Sequence, residues 1–450
     1  MKTLISSILL LTIASVSNAQ NVNIPDTAFL YALIDEGVDT NGDSLISNEE
    51  AKAVTSLDVS DNSISDMTGI EAFINLDTLW CRSNQLISLD VSKNTRLIWL
   101  DCGESNLESL NTSNINSLTY IDCEINQITN LDVSDNSALT SLNFHDNQIS
   151  NIDVSNNTAL AKLYCFNNNL TSLDISKNIA LTDLEIRNNQ LTSLDVSKNT
   201  ALASLGCGNN QLSSLNVSNN TALIELYCES NQLTSLNVSK NTALTGLFCG
   251  QNQLTELDVS NNIYLSAFGV GVFVSLDCSN NLLTYLDVTN NVALKGIDVS
   301  NNPLIHLDIS NNTGLYFLGL RDMSSLSEVC VWEEFPTASN EYDRFEIHFD
   351  TTGSPNVNFT IDCSITALNS YKEENSISIY PNPSDDIINV EIENIGNATI
   401  EIYNISGRLI FSKAFDSEVE KIDISGFSKG IYIVKVMQDN TLNVGKVVIK

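Results

Sequence analysis

Residues 202–220 read LASLGCGNNQLSSLNVSNN, and residues 223–241 read LIELYCESNQLTSLNVSKN. The second stretch repeats the first after 21 residues, with every leucine, the cysteine and the asparagines at 210/231 and 220/241 in register. Working outward, Cys81, Cys102, Cys123, Cys165, Cys207, Cys228 and Cys249 lie on one series whose gaps are 21 residues or twice 21. The two vacant steps hold Phe144 and Ile186, so this column is an apolar environment in which Cys serves as a small hydrophobe. A chain that returns to one environment at a fixed period of this length is a solenoid of stacked coils, and its function belongs to an extended surface.

Within each coil, Leu205-x-Cys207 alternates inward and outward as a half-buried strand does, and stacking the coils makes these strands a parallel sheet. The Leu215 equivalents fall at 89, 110, 131, 152, 173, 194, 236, 257, 286 and 307, with Leu57 ahead of them. The return run, Leu-Asp-Val-Ser in many coils, is expected to be extended or turn-like, because too few residues remain for a full helix. The step from 257 to 286 carries eight extra residues around Phe268 to Val274, which must bulge out. Asn84, Asn126, Asn147, Asn168, Asn189, Asn210, Asn231 and Asn252 are placed to satisfy backbone groups of adjacent coils. The column Asp58, Asp90, Asp132, Asp153, Asp174, Asp195, Asp258, Asp287 and Asp308 stacks like charges, so each carboxylate needs a local hydroxyl or amide donor, the alternative being bridging divalent cations.

This pattern resembles the leucine-rich repeat, L-x-x-L-x-L-x-x-N-x-L-x-x-L with Cys at the third apolar site, over about residues 57–326. The resemblance implies a β-rich solenoid whose outward strand positions form a concave ligand-binding face. Those positions vary most from coil to coil and mix aromatic with charged groups: Trp80, Trp99, Asp101, Tyr120, Asp122, Glu124, Tyr164, Phe166, Glu185, Arg187, Tyr227 and Phe248. Such a mixture is what interfaces use, while the alternative is a row of rings that only cover the sheet. Trp80 with Trp99, and Tyr164 with Phe166, are the pairs to test first.

Fifty-five acidic residues against 21 Lys and Arg give a net charge of −34, which argues against polyphosphate partners and anionic lipid. Met1-Lys2, the apolar run Leu4 to Val16 and Ser17-Asn18-Ala19 read as a secretory leader over 1–19, too short for a permanent span. In an exported chain ten cysteines normally signal a disulfide framework, but the 21-residue spacing makes buried free thiols the expectation. Cys330 and Cys363 stand off the series at the end of the array and are the disulfide candidates.

The segment 20–56 reads as a helical cap. Asp39-Thr-Asn-Gly-Asp-Ser-Leu-Ile-Ser-Asn-Glu-Glu50 resembles an EF-hand loop, preceded by a helix over Ala28 to Glu36. The resemblance implies calcium held by Asp39, Asn41, Asp43, the Leu45 carbonyl, Ser47 and Glu50. Ser44 departs from the family's glycine and strains the sharp turn.

Residues 327–368 are expected to cap the array, with a polar linker over 369–376. From 377 to 450 short alternating strands read as a small β-sandwich. Tyr380-Pro-Asn-Pro383, the turn Ile402 to Gly407, Gly430-Ile-Tyr-Ile-Val434 and the terminal Lys446 to Lys450 resemble the C-terminal sorting domain of type IX secretion substrates. That implies passage to the exterior of a Gram-negative cell through the type IX machinery. A helical cap before such repeats also resembles the internalin-type adhesins. No serine-hydrolase, zincin, P-loop or paired C-x-x-C motif occurs, so the chain is expected to be a non-enzymatic recognition protein with a protein ligand. The alternatives are glycan binding through the concave aromatics and a hydrolase using the concave acids.

Overall fold

The computed structural model describes residues 20–266, 274–333, 335, 348–361, 378–384, 386–391, 398–404, 408–417, 419–438 and 441–449. The chain divides into two compact units, one through Asp362 and one from Cys363. The leader and the inserted loop both fall on residues outside this description.

In the first unit, strands of two or three residues from Ser56–Asp58 to His348–Asp350 build one 14-stranded parallel sheet in chain order. The register advances one coil per strand, for example Leu205 beside Leu184 and Leu226. The 29-residue step leaves this register intact, since Leu247 pairs with Leu276. Return segments pair as strands at 88–90 with 109–111, and again at 306–308, 328–330 and 358–360; between them the returns are turns. The stack continues past 326, because Phe317–Gly319 pairs with His348–Asp350.

The core is one continuous column of Leu, Ile, Val and Cys with near-zero exposure, closed at its N-terminal end by Phe29 and Leu33 of helix α1 (Thr27–Asp35). Asp26 caps α1, and helix α2 (Asn48–Ala53) starts with a Ser47/Glu50 capping box. Eight cysteines, including Cys278 beyond the insertion, are free and buried. Burial in apolar surroundings pushes their thiols far up, so they are inert toward ionisation. Cys330 is disulfide-bonded; Cys363, its expected partner, lies outside the described residues.

Two columns of asparagine tie the coils together. Asn210 Nδ2 donates to the carbonyls of Ile186, Cys207 and Gly208 at 3.1, 3.1 and 3.2 Å, and its Oδ1 accepts the Leu191 N–H at 3.0 Å. Asn220, fully buried on the return, donates to the carbonyls of Val196 and Asn199 at 3.0 and 2.9 Å. The acidic column finds its donors locally: the Ser155, Ser176 and Ser197 N–H groups each donate to the Asp two residues earlier at 2.9 Å. Those bonds hold Asp153, Asp174 and Asp195 below the usual carboxylate range.

In the second unit a three-stranded and a four-stranded antiparallel sheet enclose one core of Ile388, Ile400, Ile402, Val434, Val447 and their neighbours. The strand Leu409–Phe415 had no alternating signature because it lies at the edge of its sheet with most side chains exposed.

Candidate functional site

The outward positions of the 14-stranded sheet alternate with buried core residues, as Trp80 does between Leu79 and Cys81 and Tyr227 between Leu226 and Cys228. Nine of the twelve sequence-selected residues lie in the sheet's strands, Glu124, Phe166 and Arg187 follow two residues after a strand's end, and most of the twelve are half-buried. The register sets Trp80 opposite Asp101 and Trp99 opposite Tyr120. Rings therefore stack along the sheet, Trp99 on Tyr120 with centroids 3.5 Å apart and planes 7° apart. His145 stacks on Phe166 at 4.1 Å, and Tyr227 on Phe248 at 4.6 Å.

In the N-terminal coils the charges close into a network. Arg82 pairs with Glu124 and Glu104, the latter at 2.6 Å, and reaches Asp101 at 3.7 Å. Glu124 Oε2 also meets His145 Nε2 at 2.5 Å and accepts from Asn143 Nδ2 at 2.6 Å. Asp122 accepts from Tyr120 Oη and Asn143 Nδ2, each at 3.1 Å. Burial opposes the charge on Glu124, but the Arg82 and Asn143 bonds outweigh it and hold the carboxyl low. Asp101 and Asp122 are pushed up by burial, with neighbouring carboxylates adding to it. Gly103 leaves room for the arginine: a Cβ there would sit 2.9 Å from Arg82 Nη1.

Farther along, carboxylates outnumber cations. Arg187 Nε donates to Glu185 Oε2 at 2.9 Å, and its guanidinium lies 5.4 Å from the Tyr227 ring centroid. Tyr227 Oη donates to Glu225 Oε2 at 3.3 Å. Glu185, Glu229 and Asp277 are all raised by burial first, and Glu229 Oε2 has no hydrogen-bond partner among the described residues. Tyr227 is pushed up to about 12 by burial and its acidic neighbours. Asp277 and Asp298 were not singled out in the sequence; carrying the 29-residue step through the register places them on this face.

In the N-terminal loop, Asp39 Oδ1 accepts the Gly42 N–H at 2.7 Å and Oδ2 accepts the Ser44 N–H at 2.9 Å. Asn41 and Asp43 take the Asp43 and Leu45 N–H groups at 2.8 and 2.9 Å. Glu50 closes the loop, accepting from the Thr40 N–H and hydroxyl at 2.9 and 2.8 Å and from the Ser47 N–H and hydroxyl at 2.9 and 2.8 Å. The Ser47 N–H above all draws Glu50 down to about 2. Ser44 has φ 63°, the left-handed region that glycine favours. The candidate ligands are oxygen donors of the kind calcium takes, but their carboxylates and amide are spent on the loop's own N–H groups and hydroxyls, and among the described residues no group of three or more His, Cys, Asp or Glu is gathered as a metal site.

The solved functional domain of InlJ from Listeria monocytogenes, a structure described as including a cysteine ladder, superposes with a TM-score of 0.59 at 25% identity, covering 96% of this chain and 100% of that one. The array is a leucine-rich-repeat solenoid. Residues 378–450 match the family described as the secretion system C-terminal sorting domain. The protein is thus secreted or displayed at the cell surface, and no helix among the described residues is long and apolar enough to cross a membrane. Internalin J of L. monocytogenes is 48% identical over 50 residues, 11% of this chain and 6% of that protein. Beta-agarase A of Zobellia galactanivorans is 37% identical over 65 residues, 14% of this chain and 12% of that protein. The matches therefore span only a small part of those relatives.

Proposed function

We propose that this protein is a non-enzymatic recognition and adhesion protein that binds a protein partner on the outward, concave face of its repeat sheet. One observation carries the reading. Buried columns repeat nearly unchanged while the face beside them changes from coil to coil, from Trp99–Tyr120 to Arg187–Tyr227, so the scaffold is constant and the surface is individual. Half-buried aromatic and arginine side chains on a rigid face are the usual anchors of protein interfaces. The test is a pull-down from the native extracellular milieu with Trp99→Ala/Tyr120→Ala beside the parent chain. Loss of the captured partner is expected; full retention sinks the proposed patch. Polysaccharide turnover by the purified array would overturn the non-enzyme reading, and a glycan array checks the alternative that the rings stack on sugars.

Calcium binding at Asp39, Asn41, Asp43, Leu45, Ser47 and Glu50 is the second part of the proposal. Its support is the spacing of oxygen-bearing residues along one loop at the cap of the array. Saturating calcium should raise the melting temperature of the parent chain, and Glu50→Gln should abolish that rise; no shift in the parent removes calcium from the account.

A further inference from the structure

The outward face is not uniform in how its charges are matched. From Trp80 to His145 the carboxylates are answered by Arg82, His145, Asn143 and Tyr120. From Asp183 to Asp298 the strands and the positions just after them carry Asp183, Glu185, Glu225, Glu229, Asp277 and Asp298 with one arginine, Arg187, among them, while Lys162 stands beside Asp183 at one end and Arg321 lies near Asp298 at the other. We infer that this second half of the face receives the lysine- or arginine-rich surface of a protein partner, an inference that rests on the concave-face reading above.

Three further observations support that occupant. The sheet already holds one guanidinium, Arg187, between the Glu185 carboxylate and the Tyr227 ring, the geometry in which an aromatic face and an acid share a cation. Beside it, the Tyr227–Phe248 stack supplies a further aromatic face, with Glu225 bonded to the tyrosine hydroxyl. Gly206, Gly208 and Gly250 flank these residues and are buried beneath carboxylates of the neighbouring coils: Glu185 and Glu229 lie over Gly206 and Gly208, and a Cβ at Gly250 would stand 2.9 Å from Asp277 Oδ1. A partner's long cationic side chains can therefore reach carboxylates lying close to the backbone, where water is partly excluded and charge attraction is strong. Like-charge crowding along this strip, with Asp277 beside Asp298 in register, is relieved by such a partner and aggravated by an acidic one.

The test uses the full chain and a fluorescent ten-residue oligo-arginine peptide, with oligo-glutamate as its control, at roughly physiological ionic strength. Glu225→Gln/Glu229→Gln/Asp277→Asn is compared with Asp153→Asn/Asp174→Asn/Asp195→Asn, which removes the same formal charge from the exposed return column. The face variant should weaken peptide binding by about tenfold or more, and the return variant by less than about twofold. Carbodiimide labelling of the parent chain gives a second readout that needs no mutation: the peptide should shield Glu225 and Asp277 but leave Asp153 reactive. Equal losses in the two variants, or no shielding, would mean that only net charge attracts the peptide, and the inference fails. A native partner released by Trp99→Ala/Tyr120→Ala yet held by the face variant would also overturn it, while leaving the concave-face reading standing.

Discussion

The two asparagine columns look alike in the sequence and behave differently in the fold. The Asn210 column satisfies both ends of its amide, and its role follows from the repeat alone. The Asn220 column spends both N–H bonds on carbonyls of the preceding coils and leaves Oδ1 of Asn157, Asn178, Asn199, Asn220, Asn241 and Asn262 buried without a hydrogen-bond partner. That could not be read from spacing, because it depends on which side chain faces the oxygen. One coil answers it: Thr112 stands where others have Val or Ile, and its hydroxyl donates to Asn136 Oδ1 at 2.9 Å. Val196→Thr should place a hydroxyl at the same position toward Asn220 and cost little or even stabilise, by up to about 1 kcal/mol. Val299→Thr in the strand column, which has no such waiting acceptor among the contacts described, should cost about 1–3 kcal/mol. Paired denaturation curves check both; a loss at Val196 as large as at Val299 refutes the acceptor argument.

At the level of elements, the helical cap is held by two low-pKa carboxylates. Burial works against Asp26, but bonds from Ser65, Phe29 and Asp66 outweigh it and bring it to about 2; Glu50 is drawn to about 2 chiefly by Ser47. Both folded values lie below the ordinary ones, so their stabilisation is present above about pH 4.5 and is lost as pH falls toward 2. Amide exchange in α1, α2 and the loop between them is expected to accelerate across that window, before the central coils respond. Ser47→Ala removes the capping hydroxyl and should cost about 1 kcal/mol. The entering helix was legible because Phe29, Leu30, Leu33 and Ile34 share a helical face. The second helix, only six residues long, has too short a pattern to announce itself and depends on its capping box. On the sheet, the face residues were legible wherever the period held; which rings meet was not, since Trp99 stacks on Tyr120 through cross-strand register and not through nearness in sequence.

For the whole molecule, the period is the unit of tolerance. Removing residues 200–220 joins Asn199 to Thr221 and deletes one complete coil, so the shortened chain should still melt cooperatively; removing 200–209 alone puts the core column out of phase and should abolish that transition. Differential scanning calorimetry of the two deletions checks this. The architecture was readable because 21-residue identity is a strong signal, whereas the final coil at His348–Asp350 escaped detection because its spacing departs from the period. The buried thiols carry a consequence for life outside the cell. A protein that works in an oxidising exterior keeps eight unpaired sulfurs sealed in one file, so safety lies in speed of closure rather than in cross-links. Should several coils open there, freed neighbours would be oxidised to one another before they could restack. For this chain, losing its fold outside the cell is expected to be irreversible, with a working lifetime set by how rarely the file opens.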